Sequence, residues 1–465
     1  MAASALENQP LRRAVNNFLT TPQYTALVCA LALLSNVLRL ELAVYSLYTL
    51  LTVYVCFWGA DLLPLMPVFL CCYISPSVTN NPGRNDASVF SGATGIYIVV
   101  LGAVIGLSCL CRVIRDRRTF FRRKYRLLPG MLLLSAAYLL SGIGSTGYRE
   151  NAPKNLLFAF LQAASVCGLY LLFSGGVDWK NARKDSFAWT GFFLGCALLC
   201  QILWIYVTSP VIVDGVIHRK QIYTGWGIHN NLGAMLAMMI PFAFSLACKY
   251  RKGWLGTVVG SLFLVGVLLS CSRNATLTGT AIYFIGIVLM LYYARNRKGN
   301  TLAALVCMCT VTAVVIVFNR QILRLFSDLI AIGLDPNTRD SIYEEGFQLF
   351  FRYPIFGASF FSPEYQPWDW STSETFSGFF PPRWHNTTVQ LLASCGIVGF
   401  VAYFVHRLQT LFLFLRTPCK EKTFIGCSVL VLLICSLFDC HFFNIGPVLF
   451  YSTALAFSEN CTVSQ

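Results

Sequence analysis

Apolar runs at 24–38, 42–58, 61–76, 91–111, 129–146, 155–174, 187–207, 231–248, 254–271, 275–294, 301–318, 387–405, 423–438 and 443–458 alternate with polar links along the chain. Crossing about 30 Å of hydrocarbon takes some 20 apolar residues whose backbone groups bond internally, which selects helices. The pattern therefore predicts an all-α polytopic transmembrane bundle of about 12–14 helices. One long polar stretch, 319–386, interrupts it and predicts a large extracytoplasmic loop. Four regions follow: N-terminal helices 1–186, core helices 187–318, the loop 319–386 and C-terminal helices 387–465.

Within the loop, Asn319–Leu334 repeats apolar residues at helical spacing and predicts an amphipathic interfacial helix. Arg339–Phe361 predicts a second helix stopped by Pro354. The segment after it is rich in aromatic residues, Pro and Ser. Tyr365, Trp368 and Trp370 belong there either to an interfacial aromatic belt or to a surface on which pyranose rings stack.

Composition agrees with a membrane bundle: 56% of residues are hydrophobic and 12% charged, against about 25% charged in soluble domains. The basic segments Cys111–Arg126, Trp179–Lys184, Lys249–Lys252, Ala294–Lys298 and Arg416–Lys422 fall in alternate links. Positive charge is retained on the cytoplasmic side, so these links are expected inside, with Arg12, Arg13 and the N-terminus. His406 is then placed at the cytoplasmic face. The net charge of +15 follows from this topology and from anionic lipid, without a nucleic-acid partner. No small-residue cleavage site follows the first apolar run, so no cleaved signal peptide is expected. The remaining links, among them 208–230, the turn at Arg273, 319–386 and a hairpin at Asp439–Phe443, are expected outside the cytoplasmic (inner) membrane.

Almost all of the 19 cysteines lie in apolar runs and read as small hydrophobes. Neither they nor the 5 histidines show metal-ligand spacing, so no metal and no cofactor is expected.

Outward positive charge defies the orientation bias at Arg219, Arg273 and Arg339. A guanidinium cannot shed its charge, and its fork suits phosphate or pyrophosphate. For Arg273 the alternative is an arginine snorkelling to the headgroups, and for Arg339 pairing with Asp340 or Glu344. His385 opens the helix that begins at Asn386 and Thr387. It is either a base for an incoming hydroxyl or a helix-start histidine bonded to a backbone carbonyl.

These residues resemble the O-antigen ligase family. His385, Asn386, Gly396 and Gly399 in "HNTTVQLLASCGIVG" fill the family's His-Asn, nine-residue, Gly-x-x-Gly pattern. "RDSIYEEGFQLFFRYPIFGAS" resembles its loop arginine, helix and Pro-Ile-Phe-Gly turn, and "SCSRNATLTG" its outer Ser-Arg segment, with Asn274 where glycine is common. "GIHNNLGAMLAMMIPF" is similar to its preceding span. The resemblance covers 190–455 and implies a metal-independent, inverting membrane glycosyltransferase acting at the outer face. The implied donor is a saccharide on undecaprenyl pyrophosphate, passed to a glycan, lipid or protein acceptor as ligase or polymerase of surface polysaccharide. It implies catalytic roles for His385, Arg339 and Arg273 and substrate contacts for Asn386, Arg219 and the aromatic loop. The competing reading is a transporter or flippase of lipid-linked oligosaccharide. That reading needs ionisable residues and broken helices at mid-span, which the sequence does not display.

Overall fold

The computed structural model describes residues 10–38, 40–71, 92–213, 216–224, 227–317, 339–364 and 383–461. Every one of the fourteen apolar runs contains a helix. In chain order these are α1 (Pro10–Leu19), α2 (Pro22–Leu38), α3 (Glu41–Trp58), α4 (Leu65–Cys71), α5 (Gly92–Arg115), α6 (Arg117–Arg122), α7 (Leu128–Leu139), α8 (Thr146–Gly176, with a π turn at Ala164–Gly168) and α9 (Ser186–Thr208). The second half holds α10 (His229–Lys249), α11 (Trp254–Leu269), α12 (Arg273–Tyr293), α13 (Arg297–Val317), α14 (Arg339–Arg352), α15 (Thr387–Leu415), α16 (Lys420–Cys435) and α17 (Ile445–Asn460).

Among the described residues, seven helices are long and apolar enough to cross a membrane, or eight if α1 and α2, bent by 69°, count as one span. The protein is an all-α multi-pass membrane bundle. Of the fourteen expected spans, α4, α7, α11, α16 and α17 are shorter than a bilayer needs. The 208–230 link, expected as plain loop, carries two small hairpins, β1 (Ile212–Val213) with β2 (Val216–Ile217) and β3 (Tyr223–Thr224) with β4 (Gly227–Ile228). The expected helix at Asn319–Leu334 lies outside the described residues, whereas the one opening at Arg339 is α14 and ends just before Pro354.

The axis of the bundle is α10, apolar on every side and wholly buried along its membrane-length window against α9, α11, α12 and α16.

The helix α15 is broken at Gly396, which takes φ 63°. The Pro354–Gly357 turn fills the break: Ile397 N donates to Pro354 O at 2.8 Å, Val398 N to Ile355 O, Ala358 N to Ala393 O and Ser359 N to Ser394 O. A Cβ on Gly396 would stand 2.4 Å from Ile355 O, and one on Gly357, at φ 73°, 2.3 Å from the Ser394 carbonyl carbon. Both positions therefore demand glycine. Backbone freed by the break would be costly in a membrane, and the inserted turn satisfies it.

Candidate active site

Four helices, α10, α12, α15 and α17, begin at one end of the bundle, stitched by side-chain amides. Asn444 Nδ2 donates to Asn231 Oδ1 at 3.0 Å, joining the first turns of α17 and α10. Asn274 Nδ2 donates to Cys435 O at 3.2 Å, joining α12 to the end of α16. Asn386 Nδ2 donates to Leu437 O at 2.8 Å and Thr387 N to Ser436 O at 3.0 Å, which fixes α15 on the same helix end. The antiparallel α16 thus offers its last carbonyls to the donors of its neighbours, satisfying groups a helix terminus leaves open. Four helix starts on one rim focus positive potential there, each worth about half a charge.

His385 sits on this rim, its ring about one-third exposed. Its backbone takes φ 50°, sparsely populated for a residue with a side chain, and such strain concentrates at functional sites. His385 O accepts from the Tyr343 hydroxyl at 3.3 Å, and Nδ1 stands 3.5 Å from Asp439 Oδ1. Burial alone would push the Asp439 carboxyl up. His385, His441 and Arg383 outweigh it and hold the group well below the usual carboxylate range. The buried His441 is pushed the other way, toward the neutral form, by burial and Arg383 against the pull of Asp439. Sequence reasoning treated Asp439 only as part of a hairpin. The signal available was a lone carboxylate between the last two apolar runs, but only the fold brings it under His385.

Asn386 is the N-cap of α15, its Oδ1 accepting from Thr388 N at 2.8 Å and Val389 N at 3.3 Å. With Nδ2 on Leu437 O, both ends of the amide serve the backbone. Arg273 is the first residue of α12, preceded by the N-cap Ser272, and its Nε is buried. Its neighbour Asn274 makes the bond to Cys435 O, a tie that the commoner glycine would not provide. Arg339 opens α14, one turn before the Tyr343 that holds His385 O, so this helix start also reaches the rim. Arg219 lies in a 3-10 turn after β2, and its charge bears on the Cys271 thiol two residues from Arg273. Tyr365, Trp368 and Trp370 lie outside the described residues. The described stem of that segment ends at Glu364, which accepts from Arg352 at 2.8 Å and Tyr353 at 2.7 Å.

One expectation is overturned. His406 is not at the cytoplasmic face but buried, with Nε2 2.9 Å from the Tyr451 hydroxyl. The reason is the length of α15, which continues to Leu415 and carries His406 inside the bundle. Beside it the Arg407 guanidinium stands over Phe442 at 4.2 Å, Tyr403 at 4.4 Å and Tyr451 at 4.8 Å. A broken helix and a buried cation are thus present, which the sequence did not display.

The fold and the site define a class: a multi-pass membrane protein with an imidazole–carboxylate pair at a positively biased rim. Residues 258–404 match the family model of O-antigen ligase. That segment, from α11 into α15, is similar to the O-antigen ligase domain, which supports a membrane glycosyltransferase of the ligase or polymerase type. The matched segment includes Arg273, Arg339, His385, Asn386 and Gly396. Asp439 and Arg219 lie beyond it. No curated protein matches the chain.

Proposed function

We propose that this protein transfers a saccharide from undecaprenyl pyrophosphate to an acceptor hydroxyl on the outer side of the cytoplasmic membrane. The observation that carries the reading is His385, held from Nδ1 by the buried Asp439 on the rim where four helices begin. A carboxylate on Nδ1 favours the tautomer whose proton is on that nitrogen, which leaves Nε2 as the base.

In the proposed reaction the acceptor oxygen attacks the anomeric carbon, Nε2 takes its proton, and the bond from that carbon to the phosphate oxygen breaks from the opposite face. Configuration inverts. Arg273 and Arg339 meet the charge gathering on the departing pyrophosphate, helped by the helix starts, so that no metal is required. Arg219 adds charge from the hairpin link. Asn386 supports His385 through the α15 cap rather than by touching sugar. Tyr365, Trp368 and Trp370 supply stacking surface to the glycan.

The test is transfer of labelled glycan from lipid-linked donor by the purified protein in vesicles with chelator present. His385→Ala is expected to lose roughly 10²–10⁴-fold in rate while still binding donor. Arg273→Ala and Arg339→Ala are expected to lose donor binding as well. Normal turnover in these variants would overturn the assignment, and retention of anomeric configuration would overturn the single displacement. A product ladder identifies a polymerase, whereas a single addition identifies a ligase.

The buried Arg407 and the break at Gly396 favour a second reading, transport of the lipid-linked glycan. The turn inserted into the break and the three rings around Arg407 speak against it, because both features are already filled by protein. Movement of labelled donor between leaflets without transfer would reverse the choice.

A further inference from the structure

At the end of the bundle away from His385, Cys419 and Cys461 bring their sulfurs to 3.5 Å. Cys419 is the N-cap of α16 and partly exposed. Cys461 follows the last turn of α17 and is 9% exposed. The surroundings are those of a reactive thiol. Cys419 stands at the positive end of a sixteen-residue helix. Lys420 and Lys422 follow within its first turn, and Lys422, 2% exposed, donates from Nζ to Arg416 O at 2.5 Å. The contact with Cys461, against burial, and the Lys422 amide and ammonium, against Glu421, lower the Cys419 thiol from its ordinary value. The same coupling, with burial, raises Cys461. Two sulfurs in contact, one of them at a helix start beside lysines, form an arrangement suited to thiol oxidation.

Among the described residues two other pairs come close, Cys29 with Cys71 at 3.3 Å and Cys56 with Cys109 at 4.0 Å. Cys29, Cys71 and Cys56 are at most 3% exposed among apolar side chains, surroundings that disfavour the reactive thiolate. Cys419–Cys461 differs in lying at a basic, aqueous end.

We propose that Cys419 and Cys461 form a redox-modifiable pair that closes to a disulfide when the protein meets a hydroperoxide. The Cys419 thiolate attacks the terminal peroxide oxygen, the O–O bond breaks, and the leaving oxygen takes a proton as water when hydrogen peroxide is the oxidant. Cys461 gives up its proton and attacks the resulting sulfenic sulfur. The S–S bond forms and the hydroxyl leaves as a second water, so two thiols are oxidised and one peroxide is reduced. The closed ring encloses α16, α17 and the hairpin bearing Asp439, and so ties the ends of the two helices that set the depth of that carboxylate.

The test uses the full chain in vesicles treated with hydrogen peroxide and quenched with an alkylating agent. The expected result is loss of two alkylatable thiols and a peptide linked through Cys419 and Cys461, both reversed by a thiol reductant. Lys422→Met is expected to slow the loss several-fold. With Cys461→Ser, the mass of Cys419 should rise by one oxygen, or by a trapping reagent, without a link, which keeps the idea testable if one variant folds poorly. Both thiols remaining alkylatable at doses that oxidise the exposed Cys111, or linkage at Cys29–Cys71 or Cys56–Cys109 instead, would overturn the proposal.

Discussion

His385 depends on groups far away in sequence, and each has its own signature. Asp439 has a depressed carboxyl, so its contribution to stability is complete above the ordinary carboxylate value, about pH 4, and is lost as pH falls through the depressed one. Asp439→Asn removes that dependence. Its unfolding temperature in detergent should fall less steeply than the parent's between about pH 5 and about pH 3, and its transfer rate should drop at least about tenfold as the imidazole loses its orienting partner. Identical acid profiles for the two proteins would mean that the carboxylate does not engage His385. Asn386→Ala removes an N-cap and the tie to Leu437 O, which costs about 1 kcal/mol for the cap alone. The measurable expectation is a lower unfolding temperature together with weaker turnover, since the residue that loosens is next to the base.

For single elements, α15 is the informative case. A Cβ at Gly396 meets backbone oxygen at a positive φ, so neither rotamer change nor side-chain movement relieves it. Gly396→Ala should destabilise by at least ~1–2 kcal/mol from the dihedral alone and displace the Pro354–Gly357 turn, read as loss of folded protein in a thermal melt. Arg407, farther along the same helix, sets two effects against each other. Three rings attract its guanidinium, each by about 2 kcal/mol or more in a dry site, whereas taking the charge out of water costs several kcal/mol. The two nearly cancel, and an apolar chain of similar length packs in the charge's place, so Arg407→Met should melt no lower than the parent. A marked fall in melting temperature would show that the cage is net stabilising.

Across the whole molecule the helix dipoles are arranged. The four helices that begin at the His385 rim end at the opposite side, where basic residues meet carbonyl ends: Lys422 on Arg416 O at α15, and Arg112 and Arg115 on Cys56 O, Gly59 O and Phe57 O at α3. Positive helix ends at the rim attract anions, and basic side chains neutralise the negative ends opposite. We expect His218, exposed on the hairpin link, to face outward. His218→Cys in intact cells should react with an impermeant maleimide above the background of the unsubstituted chain, and labelling only after lysis would invert the topology.

Much of this was legible from the chain. Each of the fourteen apolar runs holds a helix, because a bilayer rewards continuous apolar length whatever the partners, whereas the polar α1 and α6 were not marked. Pro354 marked the end of α14, and the spacing from His385 to Gly396 marked the family. Span count was less legible, since α4, α7 and α11 are as apolar as longer helices but shorter than a bilayer. His406 was misplaced because the basic residues near it suggested a helix end that α15 passes. Asp439 was missed because its importance lies in a contact across 54 residues, a separation with no local trace.

By itself, then, the sequence determined the solvent: its hydrophobicity commits the chain to lipid, and short-range pattern chooses helix there. Only the tertiary structure decided which polar groups meet. The amide stitches at Asn231, Asn274 and Asn386, the carboxylate beneath His385 and the turn lodged at Gly396 all join segments distant in the chain. Their geometry is fixed by packing and by the need to satisfy every buried polar group.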